Sequence, residues 1–226
     1  MIAYVSTRGG AGSRSFEDVL LAGLAEDGGL FVPASWPALA PDDLRSLRGL
    51  GYAQTTARVL EPFAAGCFAT AELLDLCADA YAGFAHPATA PLKQLGPDEW
   101  LLELFHGPTL AFKDFAMQLL ARMFDRVLER RDERITIVGA TSGDTGAAAV
   151  RAFAGKRNVR IAMLHPEGRV SPVQRRQMTT ERAENVLNIA VEGTFDDCQD
   201  LVKAMFADAR FRDDLALSAV NSINRG

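Results

Sequence analysis

The chain has 226 residues, 48% of them hydrophobic and 23% charged, with a net charge of -5, so it is long enough for one large or two small domains with a sizeable core. The acidic balance excludes nonspecific nucleic-acid binding, which needs a basic face. No run approaches a membrane span, and Met1 to Gly10 lacks a charged segment followed by an apolar one, so an intracellular, cytoplasmic chain with no membrane partner is expected.

Four helical pieces are predicted in the first hundred residues: Phe16 to Leu24, Asp42 to Leu50, Tyr52 to Phe63 and Thr70 to Tyr81. Asp27-Gly28-Gly29 and Pro33 break the pattern between them. Thr70 is read as an N-cap, because Ala71-Glu72 follow it and Leu73, Leu74, Cys77 and Tyr81 then make an apolar face. Trp100 to Phe105 reads as a buried strand, broken by Gly107 and Pro108.

A long helix follows, in which Phe112, Ala116, Leu119, Met123 and Val127 recur at spacings of three and four and form a core-facing stripe. Lys113 lies in its first turn, where the partial positive end of the helix disfavours an ammonium. A free amine there could act as a nucleophile on a carbonyl. The plainer alternative is a surface lysine paired with Asp114. The run Glu129 to Arg134 mixes both signs and reads as a solvated helix end.

From Ile135 onward, strands and helices alternate. Ile135 to Val138, Val159 to Leu164, Val186 to Val191 and Leu215 to Val220 are predicted strands. Helices opening at Ala147 and spanning Val173 to Thr179 and Asp196 to Phe206 separate them. This is the pattern of βαβ units, so an α/β fold is expected: a mostly helical region over residues 1–98, then a parallel sheet with right-handed crossovers over residues 99–226. No helix follows the last strand to cover it, so the sheet is expected to be interrupted, a truncated domain.

Cys67, Cys77 and Cys198 are odd in number, widely spaced and without a Cys-x-x-Cys pair, which fits neither a disulfide framework nor a zinc site. His86, His106 and His165 have no second ligand at metal spacing and are read as core or loop residues, so no metal is expected.

Gly139-Ala140-Thr141-Ser142-Gly143-Asp144-Thr145-Gly146 joins a strand to a helix, where free backbone N–H groups and the helix dipole attract an anion. It is neither a Walker loop nor the dinucleotide fingerprint. Ser142, Thr145 and the glycine amides suit a small carboxylate or phosphate, and Asp144 is expected to orient the loop or meet a hydroxyl. The plain alternative is a tight turn capped by Thr145. A helix-mouth lysine beside such a cradle points to an amino acid held by its carboxylate while its nitrogen joins an aldehyde cofactor on Lys113, which is pyridoxal-phosphate chemistry.

Three separated motifs, His106 to Asp114, Thr141 to Ala148, and Asn221-Ser222-Ile223-Asn224, resemble threonine synthase in order and spacing. Ser6-Thr7-Arg8-Gly9, Phe16-Glu17, Asp27 to Pro33 and Pro166 to Gln174 also resemble that family, so the likeness covers the whole chain. It implies the fold type II arrangement of the tryptophan-synthase β kind and pyridoxal 5'-phosphate as cofactor. The reaction it implies is conversion of O-phospho-L-homoserine and water to L-threonine and phosphate. Lys113 would carry the cofactor and move protons. Thr141, Ser142, Gly143, Asp144 and Thr145 would face the substrate carboxylate, with Asp144 also near the cofactor, and Asn221 and Ser222 would contact the substrate phosphate.

Family members are roughly twice as long, and the glycine-rich cup for the cofactor phosphate and the partner of its ring nitrogen lie in the part that follows. Arg225 is not given the role of the family's arginine, which comes later after this motif. The chain is therefore expected to need its missing C-terminal half, or to form a homo-oligomer. Two other readings stay open: a partner-dependent fragment, and another enzyme of the same cofactor fold such as a hydroxyamino-acid dehydratase.

Overall fold

A computed structural model describes residues 2–219, which divide into two compact units, one ending at Gly107 and the other starting at Pro108. In the first unit β1 (Tyr4–Ser6) pairs antiparallel with β2 (Phe31–Pro33), Val5 opposite Val32. Neither strand is foreseen by sequence periodicity, because three residues are too few to show one. Asp27 holds the strand ends together: its carboxylate accepts from Ser6 Oγ at 2.7 Å, Gly29 N at 2.8 Å and Gly10 N at 2.7 Å. The Ser6 and Gly29 hydrogen bonds keep that carboxyl below its usual range.

The helices of this unit are α1 (Phe16–Ala22), α2 (Pro41–Ser46), α3 (Tyr52–Ala64) and α4 (Thr70–Tyr81). α1 is capped by Ser15, whose Oγ accepts from Asp18 N at 3.2 Å. Thr70 is not the cap of α4; Ala69 occupies that position, and the Thr70 hydroxyl instead donates to Glu61. α3 and α4 pack together, burying Leu73, Leu76, Cys77, Ala80 and Tyr81, with Tyr52 edge-on to Tyr81 at 4.8 Å between ring centres. Burial pushes the Cys77 thiol up to about 11.

The expected buried strand from Trp100 to Phe105 is instead one arm of an exposed hairpin. β3 (Leu92–Gly96) pairs antiparallel with β4 (Glu99–Leu102), every residue of β4 is exposed, and Phe105 is 51% exposed. A two-stranded ribbon shows two faces, and apolar content alone does not tell whether a layer covers either one.

The second unit runs α5 (Lys113–Arg131), β5 (Ile135–Ala140), α6 (Asp144–Phe153), β6 (Val159–Pro166), α7 (Pro172–Thr179), β7 (Val186–Val191), α8 (Phe195–Ala207), α9 (Ala209–Asp214) and β8 (Leu217–Ser218). The expected parallel sheet is present, in the order β7-β6-β5-β8. Cys198 of α8 packs with Val138 and Leu164 on one face. Ile137, Ile161 and Met163 alternate to the other side and are equally buried. There α6 lies close through Ala147, Ala148 and Ala149, whose small side chains let its backbone approach the strands.

The stripe expected along α5 is only partly what is buried. Leu119, Met123 and Val127 are covered, but Phe112 and Ala116 are exposed, while Met117, Ala121, Phe124 and Leu128 widen the buried face. The body of α5 packs on α6, with Phe124 edge-on to Phe153 at 5.8 Å. Arg130 to Arg134 form the expected solvated helix end, closed by Asp132 at φ +52°. No helix among the described residues is long and apolar enough to cross a membrane.

Candidate active site

Lys113 is the first residue of α5, half-buried, with Nζ 4.3 Å from the centre of the Phe112 ring. Asp114 is not its partner. Asp114 is fully buried, and its two oxygens accept from the backbone N of Thr109 at 2.8 Å and from Thr109 Oγ1 at 2.7 Å. Burial pushes the Asp114 carboxyl above its ordinary value, and the hydrogen bonds from Thr109 oppose that rise. The turn between them includes Leu110 at φ +61°, a left-handed conformation costing a non-glycine residue about 1–2 kcal/mol. Strain of this kind persists where surrounding bonds over-determine the backbone, as the two Thr109 bonds do here.

The second motif connects β5 to α6. Thr141 is 2% exposed and turned into the loop: its Oγ1 accepts from Gly143 N at 3.0 Å and Gly146 N at 2.8 Å. Thr141 thus braces the turn, the part that the plain alternative gave to Thr145. Gly143 has φ +149°, and a Cβ on Gly146 would come within 2.8 Å of Met178 Sδ, so both positions require glycine. Ser142 is exposed at the tip, Thr145 is half-buried, and Asp144 opens α6 and accepts from Gln174 Nε2. The amides of Ser142 and Asp144 have no hydrogen-bond partner among the described residues. They lie at the positive end of α6, where an anion would be favoured. Asn221 and Ser222 lie outside the described residues.

Two residues missed as site components are Gln174 and Gln177 of α7. Gln174 reaches Asp144, and Gln177 Nε2 donates to the carbonyl of Thr109 at 3.0 Å. Their only local signal is a spacing of three within a short helix, which by itself does not reveal what they touch. Of the histidines, His165 is buried in β6 with Nδ1 lacking a partner, and His106 bonds Glu103 at 2.8 Å.

The second unit therefore offers a lysine amine with no carboxylate partner among the described residues, set by a pinned turn, together with a loop whose outward amides open a helix. The first can join a carbonyl carbon, and the second can hold a carboxylate or phosphate.

Residues 85–222 match the family profile described as pyridoxal-phosphate dependent enzyme, and residues 3–81 match the one described as threonine synthase N terminus. The chain is 56% identical over 221 residues to threonine synthase of Pseudomonas aeruginosa, covering 98% of this chain and 47% of that protein. It is 45% identical over 232 residues to threonine synthase of Schizosaccharomyces pombe, covering 99% and 45%. The solved structure of pyridoxal-phosphate-bound threonine synthase from Brucella melitensis superimposes with a TM-score of 0.95 at 55% identity, over 100% of this chain and 48% of that one. The chain spans about half the length of the curated relatives it matches.

Proposed function

The chain belongs to the pyridoxal-phosphate-dependent enzyme family, and on that premise we propose that it carries the lysine and the carboxylate loop of a cytoplasmic threonine synthase, a lyase of threonine biosynthesis. The reaction is conversion of O-phospho-L-homoserine and water to L-threonine and phosphate. One observation carries this reading: Lys113 opens α5 on a turn fixed by Asp114, while the loop from Thr141 to Gly146 leaves amides open at the start of α6.

These residues fit pyridoxal phosphate and an amino-acid substrate. Lys113 places a flexible amine at the mouth of α5, and Gly146 lets the α6 terminus come close to the strand ends. When bound, the cofactor supplies an electron sink for carbanions at the substrate carbons. Lys113 would hold it, and once the substrate amine has taken its place, Nζ would take the proton from Cα and then one from Cβ, so that the electron pair left at Cβ expels phosphate from Cγ, and would return protons to Cγ and Cα. The flexible lysine stem suits that shuttle, because one amine must reach more than one carbon. Ser142, Thr145 and the amides of Ser142 and Asp144 bind the substrate carboxylate, while Thr141 fixes the loop between them by accepting from Gly143 N and Gly146 N. Asp144 orients the loop beside the cofactor, and Asn221 and Ser222 take the substrate phosphate, which departs from Cγ before water adds at Cβ.

The test is visible absorption of the purified protein with pyridoxal phosphate, together with phosphate release from O-phosphohomoserine. Lys113→Ala is expected to abolish the lysine-dependent band and lower turnover by about 10²–10⁴-fold. A band that survives the substitution overturns the reading, and ammonia release from threonine or serine in place of phosphate release identifies a hydroxyamino-acid dehydratase. Cell fractionation checks the compartment.

The share of the relatives that is matched, 47% and 45% of their lengths, favours a second reading in which turnover requires another chain or the counterpart of their remaining half. Sedimentation and turnover with and without that half, supplied in trans, separate the two.

A further inference from the structure

We propose that α7 is a positioning clamp that sets the distance between Lys113 and the carboxylate loop, with Gln177 holding the lysine turn and Gln174 holding the loop. The inference rests on the reading of those two segments as one site, and it deepens that reading by adding two residues that bond to the lysine turn and to the loop.

Gln174 and Gln177 are three residues apart and so share one side of the helix. Gln177 Nε2 donates to Thr109 O at 3.0 Å, and Asp114 takes the Thr109 N–H and O–H. Every hydrogen-bonding group of Thr109 is therefore engaged, four residues before Lys113. Gln174 Nε2 donates to Asp144 Oδ1, and its carboxamide lies against Gly143, where a Cβ would come within 2.6 Å of the amide carbon. α7 itself is anchored. Ser171 caps it and Pro172 opens it, Met178 is buried beside Ala147 and Val170, and Asn188 Nδ2 of β7 donates to Met178 O at 2.9 Å. Two loops whose contacts lie 30 and 68 residues from α7 in sequence are thus referred to one fixed helix. A displacement of about 1 Å between a catalytic group and its substrate can cost about 10²-fold in rate, so the clamp bears on turnover without entering the chemistry.

Each glutamine predicts a different defect. Methionine keeps the length and volume of glutamine and removes the donor. Gln177→Met is expected to lower kcat for O-phosphohomoserine about tenfold with KM within about threefold, because the lysine turn loosens. Gln174→Met is expected to raise KM about tenfold with kcat within about threefold, because the carboxylate loop loosens. In cofactor-free protein, hydrogen exchange at the Thr109 and Asp114 amides is expected to quicken in Gln177→Met and stay unchanged in Gln174→Met. If Gln177→Met does not fold, Gln177→Asn, one methylene short of the carbonyl, carries the same expectation. Parallel shifts of kcat and KM in both variants, or unchanged exchange, overturn the clamp. An unsubstituted protein that leaves O-phosphohomoserine intact even with the counterpart of its relatives' remaining half supplied in trans overturns the functional reading instead, and the exchange measurement still decides whether the clamp exists.

Discussion

Asp114 shows how a residue beside Lys113 fixes the turn that leads into it without pairing with it. The local alternative, an ion pair between neighbours, is electrostatically reasonable, yet the carboxylate points inward to Thr109 and is fully buried. Its raised proton affinity has a definite sign in stability. A folded-state carboxyl that binds protons more tightly than the unfolded one contributes stability at low pH, and that contribution is lost as pH rises through its folded pKa. Comparing urea unfolding of the parent with Asp114→Asn between about pH 3 and pH 7 should therefore show the parent's relative stability falling as pH rises. A relative stability that rises over that range contradicts the assigned environment. Thr141 teaches the same lesson at the other motif: the composition of the loop is readable as an anion cradle, but which hydroxyl braces the turn and which stays exposed is set by where Thr141 points.

At the scale of elements, α4 and β7 have the bounds that periodicity predicts, Thr70–Tyr81 and Val186–Val191. Both are long enough to repeat a pattern and end at clear breaks. β1, β2 and α9 are only three, three and six residues long, so no period can establish itself within them. One connection illustrates a stabilising contact invisible in the sequence. Asn185 Nδ2 donates to the carbonyls of Phe153, Lys156 and Val159 at 2.8, 3.2 and 2.9 Å, and its Oδ1 accepts from Gly155 N at 2.8 Å. The side chain thereby closes the turn between α6 and β6. Asn185→Leu leaves those backbone groups without their partner and is expected to cost about 2–4 kcal/mol, read from the midpoint of urea unfolding. A loss below about 0.5 kcal/mol, the scale of an ordinary surface substitution, would remove this role.

Across the whole molecule, the three thiols report on both compact units. Cys67 and Cys77 lie in the first unit and Cys198 in the second, and all are buried thiols outside any disulfide. Burial raises the Cys77 thiol to about 11 and also raises Cys198, so little thiolate is present near neutral pH. A maleimide is expected to leave all three unmodified in the folded chain and to label each as its own unit unfolds in denaturant. Rapid labelling of Cys198 in native buffer would contradict the packing of α8 on the sheet.

The alternation of strand and helix after Ile135, together with the positions of Lys113 and the Gly139–Gly146 loop, followed from the sequence by itself. Local periodicity and turn residues report directly on elements, and both motifs sit at element boundaries. The strand order β7-β6-β5-β8, the inward turn of Thr141 and the exposure of the Trp100 hairpin were decided only by tertiary structure. So was the joining of Thr109 to Gln177 and of Asp144 to Gln174, across 68 and 30 residues of chain. Contacts of that range depend on which faces meet when elements pack, and a chain's local pattern carries no record of its distant neighbour.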